Sequence, residues 1–253
     1  LKVPQPFTPT DVEFVNIPKR LWSNVDAQGG TLTYTGIAKV NGQLKKGRCR
    51  DFEVTNSQYG TFATDDADFE IQDFTVSVDF QLESVTAHRY FASYADFNSA
   101  GWGFYCGSSG FVSFWWYEDT DTIQSIDTSS LTIGTGVPFR ATVAKTTTGV
   151  TLTVTNLNTD ESETVTASAN AIDYMSGNAL IGTIGTYVDN GSVGGVYMDG
   201  LLWKLSVRND SSGDYVAYWP INESAGDTGY DVSGNEKHIT WVNNPAVATQ
   251  DVF

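Results

Sequence analysis

Residues 74–82, FTVSVDFQL, alternate strictly: Phe74, Val76, Val78, Phe80 and Leu82 face one way, and Thr75, Ser77, Asp79 and Gln81 the other. Successive side chains of an extended chain point to opposite faces, so this segment reads as a strand with one apolar face. The same period returns in VTLTV, where Val150, Leu152 and Val154 alternate with threonine. In GLLWKLSVR, Leu201, Trp203, Leu205 and Val207 alternate with Leu202, Lys204, Ser206 and Arg208. These are half-buried antiparallel strands. Clusters of Gly, Asn, Asp and Ser separate them: NSAG, CGSSG, KTTTG, LNTDES and VDNGSVGG. No stretch carries a long helical stripe, and ASANAIDYMSG has room for one or two turns at most. Many short strands with frequent turns predict an all-β fold, a two-sheet antiparallel β-sandwich or jelly roll.

Pro4, Pro6, Pro9 and Pro18 block helix and favour an extended path, so residues 1–20 read as an arm or linker. The rest, residues 21–253, reads as a single sandwich domain with no internal repeat. Acidic residues outnumber basic ones 30 to 14, giving a net charge of -16. No basic cluster offsets that charge, which argues against nucleic acid and anionic membranes as partners. No apolar run approaches the length of a membrane span, so no membrane insertion is expected. Cys49 and Cys106 sit in strand-like runs and read as buried free thiols rather than a bridge.

Most enzyme chemistries find no foothold. His88 and His238 are the only histidines and have no zinc-site spacing. There is no Gly-x-Ser-x-Gly elbow, and IGTIGTYVDNGSVGG leads into a strand, not a phosphate-binding helix, so it reads as a hairpin. Asp66, Asp68 and Glu70 alternate in TDDADFEIQDF, the arrangement a polysaccharide-cleaving site would use. The row precedes the strand body, however, and the favoured reading is a solvated doorstep with no catalytic residue. Glu118, Asp119 and Asp121 raise the same question and lack a partner at defined spacing.

The most distinctive text is YWPINESAGDTGYDVSGNEKHITW, residues 218–241. Trp219 is an apolar anchor, Asp231 suits an Asx-type turn, and Gly234 suits a positive φ. The Trp-Pro-Ile-Asn-Glu opening, with Gly226, Asp231, Ser233-Gly234-Asn235 and His238, resembles the signature of laminin-G-like modules of the concanavalin A-like lectin/glucanase superfamily. FEIQDFTVSVDFQL, GWGFYCGSSGFVSFWWY and MDGLLWKLSVRND are similar in kind to that family's strands, and the resemblance spans roughly residues 45–245. The signature commonly precedes the central strands in that family, whereas here it closes the chain. The resemblance implies a jelly roll, and a setting among secreted adhesins, carbohydrate-active enzymes or phage and virion surface proteins. Sandwiches resembling this one often hold a structural calcium on the convex side, for which Asp199 with Asp231 or Glu223 is the expected ligand set, while each taken alone reads as a solvated carboxylate.

Aromatic density carries the functional expectation. Trp102, Phe104, Tyr105, Phe111, Phe114, Trp115, Trp116 and Tyr117 fall within sixteen positions. Alternation sends Phe111, Trp115 and Tyr117 to one face and Phe114 and Trp116 to the other, and only one face of a sandwich strand meets the core. Either some of these rings lie on the surface, or a loop, the N-terminal arm or an oligomer partner covers them. Exposed rings stack on the apolar faces of sugars, so Trp102, Tyr105, Trp115, Trp116, Tyr117 and Asp119 are the expected glycan contacts. The leading expectation is a non-catalytic carbohydrate-recognition module at an extracellular or virion surface. A structural or decoration protein working through homo-oligomer or larger assembly contacts is the alternative, and a glycoside hydrolase or lyase the second.

Overall fold

The computed structural model describes residues 46–119, 122–175 and 179–251. Arg48–Ala248 form one compact unit. The arm expected over residues 1–20 lies outside the described residues.

Two eight-stranded sheets make the body. The first holds β1 (Lys46–Phe52), β3 (Phe74–Leu82), β8 (Pro138–Lys145), β9 (Gly149–Asn156), β10 (Ser162–Ser168), β14 (Gly200–Asn209), β15 (Tyr215–Trp219) and β18 (Ala246–Asp251). Its order is β10-β9-β8-β3-β14-β1-β18, with β15 also paired to β14. The second sheet holds β2 (Tyr59–Thr64), β4 (Arg89–Asp96), β5 (Ala100–Cys106), β6 (Val112–Asp119), β7 (Thr122–Asp127), β11 (Ile181–Ile184), β16 (Thr228–Gly229) and β17 (Ile239–Val242). Its order is β16-β17-β2-β11-β4-β5-β6-β7. A small hairpin, β12 (Val188–Asp189) and β13 (Ser192–Val193), stands apart from both.

The alternation read from β3 holds. Its five apolar side chains are fully buried between the sheets, with Phe80 4.1 Å from Phe91 and Phe74 5.7 Å from Trp102 by ring centroid. The opposite face is polar: Ser77 meets Thr142 at 3.0 Å, and Asp79 takes two 2.6 Å hydrogen bonds from Arg140 on β8. In β14 a bulge between Leu202 and Lys204 breaks the alternation, so Leu202 rather than Leu201 joins Leu205 and Val207 in the core. One extra residue exchanges the two faces of everything beyond it.

The expected hairpin in IGTIGTYVDNGSVGG is present. Asn190 and Gly191 turn it with φ of 49° and 71°, the two left-handed positions that a tight hairpin consistent with strand twist requires. ASANAIDYMSG forms no helix over residues 169–175; Ile172 is instead clasped in both directions by the Gln72 amide, at 2.6 and 2.9 Å. Both cysteines are free and buried, and burial pushes each thiol up to about 12. Among the described residues no helix is long and apolar enough to cross a membrane.

Candidate functional site

The aromatic runs form β5 and β6, and their alternation sorts the rings into two groups. Trp102, Phe104, Phe114 and Trp116 point into the sandwich, with Trp102 and Trp116 in register and each 1 % exposed. Lys145 places its ammonium 5.7 Å from the Trp116 ring, and Glu118 accepts from the Trp116 indole at 3.4 Å. Trp102 and Trp116 are therefore core side chains, which corrects their expected role as ligand contacts: their register faces the other sheet.

Tyr105, Trp115 and Tyr117 take the outer face of the second sheet, where Tyr90 from β4 joins them. The Trp115 indole lies across Gly103, where a Cβ would stand 2.4 Å from the ring, so only glycine admits this flat packing. Its N–H donates to the Tyr90 hydroxyl at 3.3 Å, and Phe97 meets the ring edge-on at 5.2 Å. Trp115 and Tyr117 are nonetheless buried, at 2 % and 5 % exposure, because the β12–β13 segment roofs them. Phe97 N–H donates to the Val188 carbonyl at 2.7 Å, Gly191 N–H to Asp96 at 3.0 Å, and the Asn98 amide to Asp189 at 3.0 Å. The cover thus comes from within the described sandwich.

What remains accessible is the rim of this layer. Tyr187 stacks on Tyr90 at 4.8 Å, Tyr90 on Tyr105 at 5.1 Å, and Tyr105 lies 5.2 Å from His88. Tyr105, Tyr187 and Phe97 are half-buried and His88 is exposed. Burial raises the phenol of Tyr105 against its hydrogen bond with the Ser113 side chain, and burial with the nearby Asp189 raises that of Tyr187. Both hydroxyls therefore keep their protons at neutral pH and can donate as well as accept. Tyr90, Phe97 and Tyr187 were missed in sequence because they lie outside the aromatic runs; the TYVDNG turn beside them was the available signal. Asp119 ends β6, and its side chain lies outside the described residues.

The acidic row is no strand. Asp66 caps a 3-10 turn, Ala67–Phe69, by accepting from Asp68 N–H at 3.1 Å, and Glu70 closes it. Asp66 and Asp68 both hold the Lys237 ammonium, at 2.6 and 2.7 Å. Burial pulls that lysine down, but its hydrogen bonds to the two aspartates win and raise it above its ordinary range. The row ties the entry of β3 to the C-terminal turn.

Asp199, Glu223 and Asp231 do not converge on one point. Asp199 lies 3.7 Å from Arg89, and Glu223 accepts from Tyr230 N–H at 2.8 Å. Asp231 is filled by Tyr218 N–H, Ser233 N–H, the Ser233 hydroxyl and Lys237 N–H, all between 2.7 and 3.1 Å. It is a turn cap, because hydrogen donors occupy the oxygens a cation would need. Among the described residues, the carboxylates that do converge are Asp51, Glu53 and Glu83, with oxygens within 4.8 Å of one another. Asp51 Oδ1 is buried with no partner. Burial and then Asp199 raise the Asp51 carboxyl; burial, then Asp51, Glu53 and Asp199, raise that of Glu83. An orphaned oxygen among repelling carboxylates fits a hard divalent cation such as calcium.

No protein-family model and no curated protein matches this sequence. Solved structures do match in fold. The LG1-3 region of the laminin alpha2 chain is 14% identical, with a TM-score of 0.50, over 78% of this chain and 38% of that one. The CBM40 module of the Ruminococcus gnavus IT-sialidase, bound to alpha2,3 sialyllactose, is 11% identical, with a TM-score of 0.49, over 66% and 91%. Tailspike protein 2 of the Escherichia coli O157:H7 bacteriophage is 16% identical, with a TM-score of 0.43, over 60% and 24%. The chain has the jelly-roll fold of laminin G modules, as its C-terminal motif implied.

Proposed function

We propose that this chain is a non-catalytic carbohydrate-recognition module, displayed at an extracellular or virion surface. The observation that carries the reading is the second aromatic layer. A sandwich needs one apolar face per sheet, yet the outer face of the second sheet is also laid with Tyr90, Tyr105, Trp115 and Tyr117 and rimmed by Tyr187 and Phe97. Tyr90, Trp115 and Tyr117 are buried beneath the roof, so the half-buried Tyr105, Tyr187 and Phe97 are the accessible part of this layer, and the two phenols among them offer both a stacking face and a hydroxyl. In this reading Tyr105 and Tyr187 contact the sugar, with His88 beside them, while Trp115 and Tyr117 form the floor that sets their geometry. Calcium, where bound, sits at Asp51, Glu53 and Glu83 and supports the sheet edge.

Catalysis has no support in this arrangement, since Asp66 and Asp68 are joined through Lys237 as a bridge. The test is a glycan array on the full chain, with calcium and with EDTA, assaying reducing-end release on every hit. Binding without release, weakened at least tenfold by Tyr105→Ala or Tyr187→Ala, is the expected result. Release would return the acidic row to consideration. Absence of binding would leave the aromatic rim as a protein-contact surface and overturn the proposal.

A further inference from the structure

A cleft of about 280 Å³ opens between segments distant in sequence: the turn at Ala67–Phe69, the β14–β15 hairpin and the turn that follows Asp231. Asp68, Asn209, Ser212, Asp214, Tyr215 and Asn235 line it. None of them belongs to the second sheet or to its aromatic rim.

Three properties of this cleft converge on one ligand chemistry. The first is a prepared ring. Tyr215 is 45 % exposed, and Tyr218 stacks against it at 5.4 Å and 26°, itself 5.6 Å from the Lys204 ammonium. Tyr215 is thus backed by one ring while nearly half of its surface stays open to solvent, and an apolar ring face stacks on such a side chain.

The second is a fixed polar wall. The Asn235 amide donates to the carbonyls of Tyr215 and Val216 at 2.7 and 3.0 Å, which locks the cleft turn to the start of β15. Asn209 Oδ1 accepts from Ser211 and Ser212 N–H at 3.0 and 3.4 Å, and Lys237 anchors Asp68. Asn235 Oδ1, Asn209 Nδ2 and the Asp214 carboxylate keep no partner among the described residues. They are acceptors and donors held at the rim of a stacking platform.

The third is charge. Asp214 contributes an exposed carboxylate, and Asp68 one that is paired with Lys237, in a chain of net charge -16. Carboxylates accept hydrogen bonds from sugar hydroxyls but repel an anionic ring. The volume lies near the lower bound of ~300–1,000 Å³ for small-molecule sites, enough for one ring and not for an extended oligomer.

We infer that the Tyr215 cleft is a second saccharide site that takes a single uncharged hexose ring and rejects acidic sugars. This deepens the glycan-recognition reading and rests on it. The hexose stacks its C–H face on Tyr215 and directs hydroxyls to Asp214, Asn209 and Asn235. Two sites on different sheets then make the module bivalent, so avidity for a repeating surface polysaccharide exceeds either affinity.

The experiment is saturation-transfer difference NMR and titration on the full chain, with maltohexaose, cellohexaose and chitotetraose as neutral probes and sialyllactose and polygalacturonate as acidic ones. The variants are Tyr215→Ala, Asp214→Asn and Tyr105→Ala. Tyr215 and Asp214 are exposed, so their substitutions leave the core intact. A neutral probe is expected to keep a binding step in Tyr105→Ala and to lose it at least tenfold in Tyr215→Ala. Asp214→Asn is expected to weaken the neutral probe several-fold and to reduce discrimination against acidic ones. If Tyr105→Ala abolishes all binding while Tyr215→Ala and Asp214→Asn match the parent, the cleft inference fails and the aromatic-rim reading stands. Binding of acidic probes alone overturns the inference as well. If the parent binds no neutral probe, the cleft inference fails, and the glycan array decides the recognition reading separately.

Discussion

Replacing Asp231 with alanine separates a structural cap from a metal ligand. The residue is 8 % exposed, and its two oxygens serve three backbone N–H groups and one hydroxyl across residues 218–237. Each hydrogen bond to a charged acceptor contributes about 1.5–3 kcal/mol, and a buried donor left alone loses its full desolvation cost. The turn around Ser233 is open to water, so its freed donors are largely resolvated. The Tyr218 N–H, within the β14–β15 hairpin, is the one that stays short of a partner. We therefore expect a loss of ~2–4 kcal/mol for Asp231→Ala rather than the sum of all four bonds. For a unit of this size that is a fall in Tm of roughly 4–16 °C.

Urea unfolding followed by circular dichroism, with m unchanged, measures it. The pH dependence gives a second reading. Burial alone would raise the Asp231 carboxyl, but the N–H donors of Tyr218, Ser233 and Lys237 outweigh it and hold it below the usual range. A group depressed in the folded state stabilises above its unfolded pKa, and that contribution disappears as pH falls through the folded value. The parent should thus lose more stability than Asp231→Asn on acidification below pH ~4. The thermal shift produced by calcium should be the same in parent and variant. A stability change within ~0.5 kcal/mol, or loss of the calcium shift on substitution, would refute the cap.

Three further outcomes follow from the geometry. Gly103→Ala drives a methyl to 2.4 Å from the Trp115 ring, so it should cost ~1–3 kcal/mol and shift tryptophan fluorescence; an unchanged spectrum and midpoint would contradict the packing. Millimolar calcium should raise the Tm of the parent, while Asp51→Asn should raise Tm in EDTA and abolish the calcium response. The sign follows from raised carboxyls, whose ionisation as pH rises removes stability that a cation restores. Burial pulls Lys145 down to about 8, against Glu118 and Asp73. Between that value and the unfolded 10.5 the unfolded chain holds the extra proton, so stability should rise from pH 8 to 10, and Lys145→Met should flatten the rise.

The strands were legible because a half-buried sheet writes its face into every second residue. Phe74 to Leu82 and Val150 to Val154 required nothing beyond that rule, and Asn190-Gly191 announced its own turn. The motif around Asp231 announced a turn as well, and local hydrogen bonding fulfilled it. These are short-range effects, carried by sterics and by bonds between near neighbours.

The faces of Trp115 and Trp116 were likewise written in the alternation, but their exposure was not. Whether an outward ring meets solvent depends on the path of a segment some seventy residues later, here the roof to which Tyr187 and Val196 belong. The bulge at Leu202 is of the same kind, since its position is set by pairing with β3. Asp51, Glu53 and Glu83 meet because β1 and β3 both flank β14 and end at one edge of the sheet. The cleft at Tyr215 gathers Asp68, Asp214 and Asn235 across more than 160 positions. The period of two determined which way each side chain points. Only the closing of the two sheets and their loops decided what it points at, because burial and the meeting of charges depend on distances that the chain sets through tertiary packing.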